Sequence, residues 1–292
     1  MKHQPTKIFT YLRFLLFSFI AGYFFFIPSI IVIQNLTDPN LTNGQIPQFA
    51  IKRHQTLSQD FASWASERVA TGQAATLSIN NISGTEWPIF SAVYYLWATE
   101  SIQDEWLKNP SLSEEAPTVY AKRAIEASAA LIADPNHANW VKLHWGDDYL
   151  ERENLFYRML LISGLTSYQK LTGNTQYEPL LISQVKGLSA ELDQSPYGLL
   201  DDYPGQCYPI DIVPAIAAIQ RAGSTLNQDY DAFVLRSIRG FEGRSVDPST
   251  GLPTYICNPD TGQGIGPSRG IGASYILIWS PELWPERTEQ WY

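Results

Sequence analysis

Phe14 to Ile33 reads FLLFSFIAGYFFFIPSIIVI, an apolar run without a single charge. About 20 such residues, at 1.5 Å rise each, suffice to cross a bilayer core as a helix. Residues 34–46 then turn polar, with Pro39 and Gly44 marking a linker. From residue 47 onward the apolar positions recur every three or four residues, the period of a helix with one buried face. Phe49, Ile51, Leu57, Phe61, Trp64 and Val69 form the first stripe, over 47–71, and Gly72 follows as a stop signal. Further helices are expected over 86–107, 117–133, 148–171, 176–192, 209–222 and 228–240. One more runs from 269 to 279, and another begins after Ser280-Pro281. Two irregular stretches, 196–208 and 242–268, interrupt the series, and no segment alternates as a strand would.

About nine helices in antiparallel pairs predict an all-α domain, an α/α bundle or toroid. The expected organisation is a cytoplasmic N-terminus (1–13), a transmembrane anchor (14–33), a linker (34–46) and an α/α domain (47–292). The closing segment WPERTEQWY carries no capping or breaker residue, so the toroid is expected to be incomplete at its C-terminal side. Lys2, Lys7 and Arg13 precede the apolar run and no Lys or Arg follows until Lys52. The positive-inside rule therefore leaves the N-terminus cytoplasmic and the main domain extracytoplasmic, periplasmic or luminal. The run is longer than a cleaved signal's apolar region and ends in bulky residues, which favours an uncleaved anchor.

Composition narrows the function. A net charge of -9 excludes the basic footprint that nucleic acid binding needs. The four His are scattered, without HExxH or paired CxxC, so no metal is expected. GQGIGP (262–267) lacks the preceding strand and the Lys-Ser/Thr of a phosphate loop, so no nucleotide cofactor is expected either. The implied partners are a small molecule and, through 14–33, a membrane. Cys207 and Cys257 can close a loop of about 50 residues in an exported domain, or Cys207 can remain a thiol just before a helix start.

Three clusters carry candidate chemistry. LLDDYPGQCYPID (199–211) gathers three carboxylates, a thiol and two tyrosines, with Asp211 in the first turn after Pro209. LHWGDDYLEREN (143–154) leads into a helix on which Glu153, Tyr157, Leu160, Gly164 and Tyr168 would share one face. Arg269 ends a glycine-rich turn at a helix start, placed to bind a carboxylate or order an acid.

Glu153-Asn154-Leu-Phe-Tyr157, the stretch from Leu165 through Ser167-Tyr-Gln-Lys-Leu-Thr-Gly-Asn to Tyr177, and Cys207-Tyr-Pro-Ile-Asp211 resemble, in order and spacing, the linalool dehydratase/isomerase-like family over residues 85–280. That resemblance implies an (α/α)6 barrel performing metal-free acid–base dehydration and isomerisation of a partly apolar alcohol in an apolar cavity. Leu160 stands where the family carries a His, and Ile216 near where it carries a second Cys. On this reading Glu86, Glu153 or Asp211 shuttles protons, Cys207 and Tyr157 assist, and Trp87, Tyr203 and Arg269 contact the substrate. Cys207→Ala and Glu153→Gln are then expected to abolish turnover without disturbing folding. A glycosidase or polysaccharide lyase on the same scaffold, and a non-catalytic exported binding module, are the alternatives.

Overall fold

The computed structural model describes residues 6–242 and 244–292, with side chains from residue 9 onward. Lys2, and the side chain of Lys7, on which part of the orientation argument rests, lie outside what is described. The apolar run folds as α1 (Thr6–Ala21), a π turn (Gly22–Phe26) and α2 (Ile27–Leu36). The π turn lies just before Pro28, whose missing N–H leaves the Phe24 carbonyl without its ordinary helical donor. Phe9–Leu36 is long and apolar enough to cross a membrane, and none of its residues is buried. Its 28 residues reach about 42 Å, more than the hydrocarbon thickness of about 30 Å.

A short α3 (Pro39–Thr42), capped by Asp38, leads to α4 (Gln48–Thr71) and α5 (Glu86–Lys108). Then come α6 (Pro117–Tyr120), α7 (Lys122–Ile132), α8 (Asn139–Trp145), α9 (Leu155–Thr172) and α10 (Glu178–Gln194). The last are α11 (Pro209–Thr225), α12 (Asp231–Ser237), α13 (Gly270–Leu283) and α14 (Pro285–Trp291). Two-residue strands β1 (Ile256–Cys257) and β2 (Gly264–Ile265) pair antiparallel in the long loop before α13. At 68% helix and 3% strand the chain is all-α.

The helices form two layers. In one, α5, α9, α11 and α13 pack side by side in chain order, while α4 and α7, and then α10 and α12, back onto them. The four front helices run parallel. Phe90 of α5 meets Phe156 near the start of α9, while Glu100, further along α5, accepts from Ser167, further along α9. The first and last of the four also meet, Tyr94 and Trp97 of α5 against Tyr275 and Trp279 of α13, with the two indoles 4.7 Å apart. Front helices so arranged place four N-terminal ends together at one pole and four C-terminal ends at the other.

α9 is the keystone, buried on nearly every side from Leu155 to Tyr168. Gly164 lets it approach its neighbours, because a Cβ there would collide with Ile132 of α7 and come within 3.2 Å of Val93 of α5. Gly164→Val is therefore expected to cost about 1–3 kcal/mol by overpacking. Urea unfolding checks this, with the midpoint falling and the slope unchanged.

The helix expected from 148 begins only at Leu155. Asn154 takes a left-handed conformation (φ 34°) and donates from Nδ2 to the Tyr149 carbonyl at 3.1 Å, turning the chain before α9. The buried guanidinium of Arg158 then ties this turn to α10, through the Arg152 carbonyl, Gln184 and Glu191. At the other end α13 continues through Pro281 to Leu283, where a break was expected.

Candidate active site

The pole with the four N-terminal ends collects most of the candidate residues. Glu86 opens α5, where the Ile82 carbonyl accepts from the N–H groups of Thr85, Glu86 and Trp87, and Pro88 follows in the first turn. Its half-buried carboxyl faces the Tyr203 phenol. Burial lifts the Glu86 carboxyl above the usual range, and Tyr203 offsets this only in part. Tyr203 itself is fixed by a tight turn, Tyr-Pro-Gly-Gln, in which Gly205 takes φ 77° and Gln206 donates to the Tyr203 carbonyl at 2.8 Å. Proline then glycine at the two central positions is the signature of a type II turn.

His144, in the last turn of α8, packs edge-on against Tyr203 with ring centroids 5.2 Å apart. Burial pushes its imidazole below the ordinary histidine range. Glu86, His144 and Tyr203 line one groove of about 420 Å³, whose other walls include Ile79, Ile82 and Pro204. An acid whose pKa is raised thus faces a histidine whose pKa is lowered across a partly apolar surface. The two shifts bring the groups toward each other, so toward neutrality more of the carboxyl keeps its proton and more of the imidazole stays neutral than in water, the states that a general acid and a general base need.

Behind the groove lie two further carboxyls. Asp202 is almost wholly buried; its Oδ2 accepts from the Tyr208 N–H at 2.8 Å, and a backbone N–H of Phe156 also reaches its carboxyl. It thereby joins the starts of α9 and α11. Its Oδ1 has no hydrogen-bond partner among the described residues. Asp211, in the first turn of α11, keeps some accessible surface yet is ringed densely enough to lose most of its hydration. Loss of hydration pushes it up to about 7, despite the favourable helix terminus. Asp202 is driven well above the carboxylate range, first by burial and then by Asp211 beside it. The two titrate as a pair. The Tyr94 and Tyr275 phenols face each other close by, and both feel the Asp211 charge.

This pair has a measurable consequence. Native Asp211 holds its proton more tightly than the unfolded chain does, so its contribution to stability is greatest below about pH 4. It falls as pH rises toward 7, and above that the penalty is complete. A shift from 3.8 to about 7 sets an upper limit of about 4 kcal/mol. Asp211→Asn mimics the neutral acid and is expected to stabilise the protein by about 1–3 kcal/mol at about pH 8. At about pH 4 the variant and the parent should unfold alike in urea.

Other expected site residues stand apart. Cys207 is bonded to Cys257, with Cα atoms 5.3 Å apart, so it has no thiol to offer and its expected catalytic part is corrected. Glu153 does not share a helical face with Tyr157: it lies in the exposed turn before α9, where Oε2 accepts from the Asp201 N–H at 2.7 Å. Its part is to hold the 201–206 loop. Tyr157 is buried between Trp140 and Tyr149 and is not among the residues that line the groove. Trp87 is 54% exposed and rests on Phe90 at the rim. Arg269 stacks on Tyr255 at 3.9 Å, and Tyr255 in turn meets Tyr208.

Glu86, Tyr203 and Asp211 are thus brought together, whereas Glu153 and Tyr157 are not. Sequence reasoning passed over His144 and Asp202 as participants. Tyr-Pro-Gly between Asp202 and Cys207 was the available signal, because a tight turn there throws neighbouring side chains to opposite faces. No protein-family model matches the chain, and a comparison with curated proteins finds no match.

Proposed function

We propose that the chain is a membrane-anchored, extracytoplasmic enzyme performing metal-free acid–base chemistry, of the hydro-lyase or isomerase kind, on a small, partly apolar alcohol. The observation that carries this reading is the convergence of Glu86, Tyr203 and His144 on one groove with apolar flanks. A protonated Glu86 gives its proton to the leaving hydroxyl, which departs as water. Neutral His144 takes a proton from the adjacent carbon, leaving a carbon–carbon double bond, and Tyr203 orients the hydroxyl between them. Exchange with solvent restores both groups. Read in reverse, the same steps hydrate an alkene, and addition after elimination moves a hydroxyl along the chain.

Two coarser features support the setting. The backing of α5, α9 and α11 by α4, α7, α10 and α12 is in keeping with an α/α toroid, and so with the resemblance to linalool dehydratase/isomerase-like proteins. The Cys207–Cys257 disulfide suits an oxidising compartment, in agreement with basic residues preceding the apolar helix and an exported domain following it. The test is gas-chromatographic detection of alkene from small branched and allylic alcohols incubated with the full chain in lipid nanodiscs. Turnover that disappears in Glu86→Gln and in His144→Ala supports the reading; turnover indifferent to both removes it.

A further inference from the structure

At the opposite pole, between the C-terminal halves of α5, α9, α11 and α13, lies a cavity of about 590 Å³. That size is within the range of small-molecule sites, about 300–1,000 Å³. It is walled by the Trp97 and Trp279 indoles, floored by Ser163, Thr166 and Ala218, and rimmed by paired charges. Lys170 lies between Glu100 (2.7 Å) and Asp104 (2.8 Å), and Ser167 donates to the other Glu100 oxygen at 2.6 Å. Arg221 grips Glu282 through Nε and Nη2, at 3.0–3.2 Å. None of these groups belongs to the acid–base groove.

The lining selects against charged ligands of either sign. The last turns of α9 and α11 border the cavity and bring the partial negative charge of a helix C-terminus, which disfavours anions. Each rim cation already has a carboxylate, and Arg221 lies 5.0 Å from the Trp279 ring centre, occupying the position an organic cation would take. What stays free is hydrogen-bonding capacity without net charge. Ser163 is 5% exposed, and its hydroxyl has no partner among the described residues although it lines the cavity. Arg221 Nη1, the third Lys170 N–H and Asp104 Oδ1 are likewise uncommitted.

We infer that this cavity binds a neutral saccharide of one or two rings. The apolar C–H face of the sugar lies against Trp97, and its hydroxyls alternate between the free donors and acceptors of Ser163, Asp104, Lys170 and Arg221. This site is independent of the acid–base reading, sharing no residue with the groove. The experiment titrates the full chain, held in phosphatidylcholine nanodiscs to avoid sugar-headed detergents, with maltose and with cellobiose. Tryptophan fluorescence is the readout, and spermidine and citrate are the charged controls. A saturable response to a sugar at millimolar concentration is expected. It should weaken at least about tenfold in Ser163→Ala and in Trp97→Ala and be unchanged in Glu86→Gln. Circular dichroism and melting establish that each variant is folded, and Trp97→Phe replaces Trp97→Ala if that one is not. Absence of a response to both sugars, a response unaltered in the folded cavity variants, or saturation by spermidine or citrate instead, overturns the assignment.

Discussion

Glu86→Gln is expected to lower turnover of the alcohol by about 10²–10⁴-fold, the usual contribution of one positioned general acid. The amide keeps the shape and hydrogen-bonding capacity of the neutral acid but has no proton to give. Substrate binding should therefore change little and kcat should carry the loss. The environment explains why this position, of all the carboxyls at the pole, is assigned the proton. Glu86 alone lines the groove, half-buried beside Tyr203, and burial keeps a larger share of it protonated than in water. Raising the pH should also lower the parent's activity as Glu86 ionises. On the acid side activity should persist below the ordinary histidine range, because the His144 pKa is depressed. Steady-state kinetics across pH, in parent and variant, check both halves.

Removing the disulfide is expected to cost about 2–5 kcal/mol and to lower the melting temperature by about 10 °C. Cys207 and Cys257 are separated by 50 residues, so opening the bond frees a long loop in the unfolded chain. In the native state the Cys257 N–H donates to the Cys207 carbonyl at 2.9 Å, seating the loop that leads to α13 against the start of α11. Both cysteines are buried, so a reductant acts only after unfolding. A Cys207→Ala/Cys257→Ala double variant, melted beside the parent, is the appropriate comparison. Cys207→Ala thus acts on stability, the reverse of what a thiol catalyst would give. Glu153→Gln, for its part, should loosen the Asp201 loop while leaving the acid in place.

Local signals account for much of this architecture. Gly72 and Gly173 end α4 and α9 in left-handed conformations (φ 57° and 67°), as glycine beyond a periodic stripe foretells. Pro88 and Pro209 likewise mark first turns, and these placed Glu86 and Asp211 at helix starts. The start of α9 escaped because Asn154 adopts a backbone conformation that periodicity does not record, and with it Glu153 left the expected face. His144 escaped for a different reason. It sits on the short α8, and its meeting with Tyr203 joins residues far apart in the chain. The same holds for Trp97 and Trp279, whose contact brings α5 to α13 and creates the second cavity. Helical spacing tells which face is buried; it carries no information about which distant face covers it.

The central claim is that carboxyls gathered at the N-terminal pole hold protons near neutrality. Infrared difference spectra of the parent against Asp211→Asn and against Glu86→Gln, at about pH 6, read this without any substrate. The account predicts that Asp211→Asn loses a protonated-carboxyl carbonyl band, and that the band lost in Glu86→Gln persists to higher pH than that of an exposed glutamate. Loss of ionised-carboxylate bands alone in both variants would contradict it.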